Sequence, residues 1–345
     1  MIYIHQTNCI SPYLHADGSV LPAPVDGVYR VIEPAYSGIS PNALRRMSKA
    51  VRLGVGTALP LLSQTGLPSG ILMGTGNGGM EESVKFLRQI IDYSEGLLAP
   101  GNFVQSIPNA VASQIGLSSQ NRGYNSTYVH RGHSFENALL DAVMLTREHR
   151  GSRYLVGGVD EISGYHYQIE QADGWYKREL KTGLGLYDYD SPGSIAGEGA
   201  ALFLVGGEAE GALAAVRGVE TLHSRDPKVV AARLGGFLRA HLPAGERVDL
   251  FLSGENGDNR VLPFFAGCEA ELDAAVPIAR FKHLCGEYPT ASAFAVWLAL
   301  QLGASLPQHM VKRPGAAQHA RLRYILLYNN HKLSQHSFML LERFP

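Results

Sequence analysis

The sequence predicts an α/β fold in which helices cover most of the sheet. The chain contains 39 glycines, and many of them follow short apolar runs, as in ILMGTGNGGM, YLVGGVDE and DLFLSGENGD. Apolar runs that end in glycine turns are typical of buried strands. Amphipathic helical stretches separate these runs, and strands that alternate with helices indicate an α/β architecture.

The first long helix is predicted to begin at Ser40-Pro41, because serine is a good N-cap and proline is favoured at the first helical position. The following apolar residues recur at the spacing of one helical face. This face consists of Leu44, Met47, Val51, Val55 and Ala58. Two further amphipathic helices are predicted over residues 81–98 (EESVKFLRQIIDYSEGLL) and 226–242 (DPKVVAARLGGFLRAHL).

The chain is predicted to consist of two halves that meet near residue 206. The apolar run ALFLVGG closes the first series of strand-like and helix-like segments, and a new series follows it. No low-complexity linker or change of composition marks another boundary. The predicted halves are therefore residues 1–206 and 207–345.

Composition and charge exclude several classes of protein. The net charge of −1 and the pI near 6.9 do not suggest a partner bound through phosphates. No apolar window approaches the length of a membrane span, and the start MIYIHQTNCISPYLH lacks the pattern of a signal peptide. We therefore expect a cytoplasmic protein. The few unclustered cysteines, Cys9, Cys268 and Cys285, argue against a disulfide framework or a zinc site.

Residues 127–142, TYVHRGHSFENALLDA, are predicted to turn sharply from a strand into a helix. Residues 127–129 are β-branched or aromatic, as at the end of a strand, and from Phe135 onward the apolar spacing is that of a helix. Ser134 is predicted to be the N-cap, and Gly132 lies in the bend. Many enzymes hold a nucleophile at such a turn.

Two glycine-containing motifs leave alternatives open. GTGNGG (74–79) could bind a dinucleotide, but it does not clearly meet the requirements of that fingerprint, so a turn that serves packing is favoured. GHSFE (132–136) resembles the nucleophile elbow of α/β-hydrolases, in which Ser134 would attack. Glu136 occupies the second glycine position and would crowd the turn, so a capping role for Ser134 is favoured over a nucleophilic one.

Histidine and cysteine side chains near these motifs suggest weaker alternatives. His130 and His133 would not share one face across the bend, and no third ligand accompanies them, so we expect no metal site. Cys285 follows Lys282 and His283, which could lower the pKa of its thiol. A small buried cysteine is the favoured interpretation.

Several segments, taken together and in order, resemble the β-ketoacyl-acyl carrier protein synthases of the thiolase fold, from about residue 40 to the C-terminus. The segments are SPNALRRMSKAVRLGVGTAL, GTGNGGM, FVQSIPNAVASQIGL, GYNSTYVHRGHSFENALLDA, YLVGGVDEIS, YDYDSPGSIAGEGAALFLV, FKHLCGEYPTASAFAV and YILLYNNHKLSQHSFMLLER. The resemblance implies a thiolase-like fold, in which duplicated βαβαβαββ halves form five α-β-α-β-α layers.

The resemblance also implies where the family's catalytic residues should lie. An active synthase has a cysteine at the strand-to-helix turn and two histidines in its second half. The cysteine position falls on Gly132, and the second histidine position falls on Glu287. The first histidine is replaced by Gly254 or Glu255, whereas Lys282 is retained. Condensation needs a thiolate to carry the acyl chain and imidazoles to stabilise an oxyanion, so the resemblance implies a chain with no catalytic residues.

Inactive homologues in this family pair with active synthases. The chain-length factors of type II polyketide systems are such homologues, although they typically carry glutamine where this chain has glycine. The segments YVHRG and SFE resemble the synthase-like subunit of aryl polyene and flexirubin pathways. The resemblance therefore implies a heterodimer with an active β-ketoacyl synthase, substrates carried on the phosphopantetheine of an acyl carrier protein, and no cofactor of its own.

In the synthases that this chain resembles, the acyl tunnel runs along the subunit interface. The segment FVQSIPNAV (103–111) is implied to reach the partner's acyl pocket, with its side chains alternating along an extended stretch before a helix begins at Pro108-Asn109. The segment NRGYNSTYVH (121–130) is predicted to be a β-edge that pairs across the interface. The implied tunnel and interface residues are Phe103, Gln105, Ile107, Asn109, Tyr128, His133 and Phe135.

Two other functions remain as alternatives. The chain could be a standalone hydrolase or acyltransferase that uses Ser134 as its nucleophile. It could also be a silent homodimer that binds acyl groups or carrier protein as a scaffold.

Overall fold

The computed structural model describes residues 1–13, 23–96, 98–178, 183–303, 305–315 and 321–345. Its strands are β1 (Ile2–Ile10), β2 (Val28–Tyr29), β3 (Gly70–Gly74), β4 (Tyr124–Tyr128), β5 (Arg153–Asp160), β6 (Ala196–Gly197), β7 (Gly199–Gly206), β8 (Ala214–His223), β9 (Leu250–Ser253), β10 (Ile278–Arg280), β11 (Val311–Arg313), β12 (Tyr324–His331) and β13 (Gln335–Arg343). Its helices are α1 (Pro41–Leu44), α2 (Lys49–Thr65), α3 (Met80–Asp92), α4 (Pro100–Gln105), α5 (Ala110–Ser119), α6 (Ser134–Glu148), α7 (Gly164–Ala172), α8 (Pro227–His241), α9 (Leu262–Ala270), α10 (Lys282–Cys285) and α11 (Ala291–Gln301).

Eleven strands form one mixed sheet in the order β11-β10-β9-β12-β13-β8-β1-β7-β5-β3-β4. In the first half of the chain, β3 is parallel to β4 and β5, and β7 is antiparallel to β5 and β1. In the second half, β9 is parallel to β10 and β12, and β13 is antiparallel to β12 and β8. The two halves thus repeat one βαβαβαββ topology, because parallel neighbours require a helical crossover. The predicted duplicated α/β fold is confirmed.

Helices pack on both faces of each half-sheet and produce five layers. α2 and α5 cover the outer face of the first half, and α8 and α9 cover the outer face of the second half. α6 and α11 lie between the half-sheets, where Phe135 and Phe294 share one core with strands from both halves. α11 is accordingly apolar on all sides, as a buried helix must be, whereas α6 also carries polar side chains.

The connection between the halves lies between β7, which ends at Gly206, and β8, which begins at Ala214. β1 and β8 pair antiparallel over Ile2–Ile4 and join the two half-sheets. The division into residues 1–206 and 207–345 stays a prediction, and it falls in this connection.

The first predicted helix is two helices in the structure. Ser40 caps α1 as predicted, since its hydroxyl accepts a hydrogen bond from the Ala43 amide at 3.2 Å. The predicted continuation was wrong, because Ser48 has an extended backbone and caps a second helix, α2, by accepting a bond from Val51. Met47 and Val51 are nevertheless buried together in the outer core.

The two other predicted helices differ in accuracy. α8 spans nearly the predicted residues 226–242, and Asp226 caps it by accepting a bond from the Lys228 amide at 2.9 Å. α3 ends at Asp92, before the predicted 98, because Ser94 and Glu95 have positive φ angles that a helix does not allow. Leu97 lies outside the described residues. No helix in the described ranges is long and apolar enough to cross a membrane.

A buried carboxylate at the end of β5 connects the two halves. One oxygen of Asp160 accepts hydrogen bonds from the Thr75 hydroxyl and from the amides of Gly76 and Asn77, at 2.8–3.0 Å. The other oxygen accepts bonds from the amide and hydroxyl of Thr290, at 3.1 and 2.8 Å. The turn after β3 is therefore held in place by a side chain, which agrees with the predicted packing role of GTGNGG.

We expect Asp160→Asn to destabilise the protein, because an amide NH₂ group cannot accept all the bonds that the carboxylate accepts. Leaving buried donors unsatisfied costs about 1–3 kcal/mol in the free energy of unfolding. Urea denaturation followed by circular dichroism measures this loss. Asp92→Asn, at an exposed position on α3, is the matched control and should change stability by no more than about 0.5 kcal/mol. Equal effects of the two substitutions would contradict the linking role of Asp160.

Candidate functional site

The strand-to-helix turn predicted from the sequence is present, with a short 3₁₀ turn inserted between its two parts. β4 ends at Tyr128, the 3₁₀ turn spans Arg131–His133, and α6 begins at Ser134. Arg131 has a φ of 52°, in the left-handed region that non-glycine residues seldom adopt. The chain therefore reverses sharply at the position where the sequence suggested a nucleophile.

Ser134 is buried, and its hydroxyl both donates and accepts a hydrogen bond. The hydroxyl donates to the Arg131 carbonyl and accepts from the His130 amide, both at 2.8 Å. The predicted N-cap role was wrong, because the helix starts at Ser134 itself and His133 occupies the cap position without a side-chain bond. Both bonds join Ser134 to the backbone of its own turn, so they stabilise the turn rather than activate a nucleophile.

The turn is held from the second half by the β12–β13 hairpin. The side-chain oxygen of Gln335 accepts from the Gly132 amide at 3.0 Å, and its nitrogen donates to the His130 carbonyl at 3.2 Å. One glutamine side chain thus satisfies two backbone groups of the turn, as the backbone of a neighbouring strand would.

The next two residues of the hairpin continue this contact. The Nε2 atom of His133 lies 3.1 Å from the His336 carbonyl, to which it donates in its neutral form. Burial lowers the pKa of His133 to about 4, so the ring is uncharged at neutral pH. The Ser337 hydroxyl donates to Glu136 at 2.7 Å, and burial raises the pKa of that carboxyl. The hairpin therefore contacts the turn through consecutive residues.

Gly132 has no space for a side chain. A Cβ atom added there would lie 2.7 Å from the Cγ of His331 and closer still to its Cβ. Carbon atoms in favourable contact are about 3.5–4.0 Å apart. Gly132 has no positive φ angle, so packing against His331, rather than backbone conformation, requires glycine here.

Glu287, at the predicted second histidine position, carries a buried negative charge. Its carboxylate accepts hydrogen bonds from the Lys282 ammonium at 3.0 Å and from the side-chain amide of Asn256 at 2.9 Å. The Nδ1 atom of His331 lies 3.8 Å from the same carboxylate. Burial acts to raise the pKa of Glu287, but the Lys282 ammonium and the other neighbours outweigh it, so the pKa lies below its ordinary value.

The two candidates for the first histidine position do not place a side chain in the site. Gly254 has no room, since an added Cβ would lie 2.6 Å from the Asn329 side-chain oxygen. The carboxylate of Glu255 instead forms ion pairs with Arg280 and Lys312.

Asn256, which no sequence motif singled out, reaches the site instead and binds Glu287. Its signal in the sequence is weak, because the residue is an ordinary asparagine in a glycine-containing loop. Only the path of the loop after β9 shows which of its side chains points inward.

These groups line a cavity of about 570 Å³. Glu287, Asn256 and His331 contribute to its wall, together with Gly76 and Asn77 from the turn after β3. Lys332 and Arg131 also line it, and Lys332 lies 5.2 Å from the ring centre of Trp175. The cavity thus combines residues from both halves but contains no thiol among its described lining residues.

A larger cavity of about 790 Å³ lies elsewhere, between β1, α2 and residues 34–39. Its described lining contains no acidic, basic or histidine side chain. Because it lacks carboxylate, basic and histidine side chains, its size does not make it the better catalytic candidate.

The thiol of Cys285 is not activated. The side chain is buried, and burial raises its pKa well above the ordinary value despite the nearby Lys282. The favoured interpretation of a buried, unreactive cysteine agrees with this environment. Among the residues that the structure describes, no group of three or more histidine, cysteine or acidic side chains could hold a metal ion.

The predicted tunnel segment differs in conformation from the prediction. Phe103 and Gln105 lie in helix α4, so the expected alternation along an extended stretch was wrong. Phe103 is 58% exposed and Ile107 is 48% exposed, whereas the Gln105 side chain turns inward to bond with Ser48 and the Arg46 carbonyl. Phe103, Ile107 and Val104, which is 61% exposed, are therefore the large apolar side chains that this segment exposes.

The other implied interface residues make their contacts inside the protein. Asn109 accepts a bond from Thr127 at 2.7 Å, and the Tyr128 hydroxyl donates to Asp141 at 2.6 Å. Phe135 is fully buried in the central core. These side chains support the turn and the strand before it.

β4 is the terminal strand of the sheet and pairs only with β3 among the described strands. The predicted β-edge is thus confirmed as an edge strand. Val129, directly after it, is 53% exposed. Large apolar side chains are also exposed on Leu87 and Ile91 of α3, on Phe103 and Val104 of α4, on Ile107 between α4 and α5, and on Leu117 of α5, the helix among these that contacts β4. An open edge beside apolar side chains is typical of an association surface.

Residues 27–187 match the family model for the beta-ketoacyl synthase N-terminal domain. A comparison with curated proteins found no match. The sequence match thus covers the turn and the edge strand, but not the cavity-lining residues that come from the second half of the chain.

Three solved structures share the fold along the whole chain. "The ishigamide ketosynthase/chain length factor" has a TM-score of 0.78 and 20% identity, and the match covers 100% of this chain and 99% of that chain. A type II acyl-carrier protein in complex with its ketosynthase, AntDE:AntF, has a TM-score of 0.78, 13% identity and 99% coverage of both chains. The ketosynthase ApeO with its chain length factor ApeC from Xenorhabdus doucetiae has a TM-score of 0.75 and 14% identity, covering 99% of this chain and 98% of that chain.

We expect Glu287→Gln to destabilise the protein strongly, because it leaves the buried Lys282 ammonium without its counter-charge. Breaking a buried ion pair on one side costs about 3–5 kcal/mol in the free energy of unfolding. Glu246→Gln removes a surface pair with Arg323 and should cost no more than about 1 kcal/mol. Urea denaturation of both variants at neutral pH measures the difference.

The effect of Glu287→Gln should also depend on pH. The folded-state pKa of Glu287 lies below its ordinary value of 4.5, so the stability that the carboxylate contributes is present above pH 4.5 and is lost as the pH falls through the folded-state pKa. The difference between wild type and Glu287→Gln should therefore shrink in acid. A difference that stays constant from pH 7 to acidic pH would show that Glu287 is not ionised in the folded protein.

Proposed function

We propose that this chain is a non-catalytic subunit of the chain-length-factor kind. Its residues 27–187 match the β-ketoacyl synthase family model, and its whole length has the fold of ketosynthases and chain length factors. The observation that carries the proposal is the contact between Gly132 and His331. The position expected for the nucleophile holds no side chain, and a neighbouring side chain occupies its space.

The remaining groups of the cavity also disfavour condensation. A condensing enzyme must stabilise negative charge that develops on the thioester oxygen. Glu287 supplies an ionised carboxylate instead, and Asn256 and Lys282 are already bonded to it. Gly132 therefore supplies no nucleophile, and Asn256 and Lys282 are not free to donate to an oxyanion.

The proposed partner is an active β-ketoacyl synthase, and the proposed contact is the edge strand β4 together with the exposed apolar side chains of α3, α4 and α5. Solved structures of similar fold pair a ketosynthase with a chain length factor or an acyl-carrier protein. By analogy, the substrates would be acyl groups on the phosphopantetheine of a carrier protein, and the chain would need no cofactor. An aryl polyene or flexirubin product is the finer proposal, and it rests on the segments YVHRG and SFE alone.

The two alternative functions receive less support. A hydrolase that uses Ser134 would need a base at the hydroxyl, whose two bonds go to backbone atoms of its own turn. A silent homodimer would use the same open edge strand, so only the composition of the dimer separates it from the proposed heterodimer.

Co-expression with a ketosynthase encoded beside this chain tests the proposal. We expect a one-to-one heterodimer by native mass spectrometry, and no condensation of acyl and malonyl carrier proteins by this chain alone. Val129→Asp should abolish pairing, because it places a charge next to the edge strand. Val229→Asp, at a 47% exposed position on α8, is the matched control and should leave pairing unchanged.

A well-behaved monomer that pairs with no ketosynthase would contradict the proposed function. A stable homodimer that excludes the ketosynthase would favour the scaffold alternative. Acyl transfer to the isolated chain that Ser134→Ala abolishes would favour the hydrolase alternative.

Ile107 is proposed to contact the end of the partner's acyl tunnel. Ile107→Trp should shorten the product, because added volume in a packed site costs about 1–3 kcal/mol, which disfavours a final elongation by about tenfold. Ile107→Ala should allow longer products, while dimer formation stays near normal. The mass distribution of carrier-bound products from the reconstituted pair measures both effects. An unchanged distribution in an intact heterodimer would assign Ile107 to packing alone.

A further inference from the structure

The tip of the β12–β13 hairpin places His331 against the strand-to-helix turn. His331 pairs with Gln335 across the hairpin, and the chain reverses through Lys332 and Leu333, whose φ angles are 49° and 64°. Gln335 in turn holds the Gly132 amide. The position of His331 is thus set by backbone pairing and by the same glutamine that fixes the turn.

The contact involves the part of His331 nearest to its backbone. The atoms that a Cβ at position 132 would meet are the Cβ, Cγ and Cδ2 of His331. A rotation about the side-chain bonds moves Cγ and Cδ2 but leaves Cβ in place. Room for a residue larger than glycine therefore requires a backbone movement of the hairpin or of the turn, or the loss of the entire His331 side chain.

His331 also belongs to the cavity wall. It is 7% exposed, and its Nδ1 atom lies 3.8 Å from the buried carboxylate of Glu287. The same side chain therefore stands between the open cavity and Gly132, where the chain turns into α6.

We propose that His331 is a specificity-determining residue that closes this cavity at Gly132 and so excludes acyl groups from the chain's own site. This inference rests on the proposed function and deepens it, because a subunit whose own site is closed leaves the growing chain to its partner. Glycine at 132 is then matched to the side chain at 331, and it cannot be exchanged for a larger residue alone.

A double-mutant cycle tests the pair, with the unfolding equilibrium measured in urea. Gly132→Ala should raise the unfolding equilibrium constant at least tenfold in the wild-type background, as expected for an overpacked site. In the His331→Gly background the same substitution should change it less than threefold. In the His331→Ala background the effect should remain at least tenfold, because alanine keeps the obstructing Cβ.

Thiol labelling tests access to the site. In the Gly132→Cys variant combined with His331→Gly, the introduced thiol should react with iodoacetamide at least tenfold faster than in Gly132→Cys combined with His331→Ala, by peptide mass spectrometry. The buried Cys268 and Cys285 report whether each variant is folded, since they label only on unfolding. If Gly132→Cys with His331→Ala is unfolded while Gly132→Cys with His331→Gly is folded, the proposal is also supported, because the Cβ retained by alanine then obstructs the introduced cysteine.

Two results would overturn the inference. One is a Gly132→Ala substitution that leaves the unfolding equilibrium constant unchanged in the wild-type background. The other is equal labelling of the introduced thiol in both folded double variants. Neither result concerns pairing with a ketosynthase, which is measured by co-purification of the unmodified chain. Failure of the closed site and failure of the proposed function are therefore distinguishable.

Discussion

The seating of the β12–β13 hairpin on the strand-to-helix turn is the contact on which the rest of the site depends. Gln335 satisfies two backbone groups of the turn, and the neighbouring residues His336 and Ser337 add bonds to the start of α6. A buried backbone group left without a partner costs about as much as a lost hydrogen bond, so these contacts hold the turn firmly. They also bring His331 against Gly132. The geometry that stabilises the two halves against each other is thus the geometry that closes the cavity.

The cavity is lined by residues from both halves of the chain, but its buried charged groups bind one another and so contribute to stability. Lys282, Glu287 and Asn256 satisfy one another in a buried network, and Asp160 holds turns from both halves with its two oxygens. Buried polar networks of this kind are costly to break on one side and contribute little that a reacting thioester could use. β4 remains an open edge of the sheet, and apolar side chains are exposed on Val129 directly after it and on Leu117 of α5, which contacts it. This contrast is the basis of the proposal that the chain acts through that surface rather than through its cavity.

Predictions from the sequence were most accurate where a local pattern has one structural solution. The helix predicted over residues 226–242 is present with nearly those bounds. Ser40 caps a helix as its position indicated, because an N-cap bond depends on residues three positions apart or fewer. Ser134 has the same chemistry, yet an inserted 3₁₀ turn moves the helix start by one residue and gives its hydroxyl different partners. The extended conformation expected for Phe103 and Gln105 was wrong for a similar reason, since a six-residue helix has too few residues to show a clear periodicity.

The sequence by itself determined the α/β class, through its strand and helix patterns, and the lack of a side chain at residue 132, through that residue's identity. Its resemblance to a known family implied the duplicated halves and the importance of position 132. Only the tertiary structure decided which side chains meet. Gly132 and His331 are about two hundred residues apart, and no local pattern relates them. The same holds for Asn256, which faces Glu287 because of the path of one loop. Contacts between distant segments depend on how the half-sheets pack, and that packing is a property of the whole core rather than of any segment.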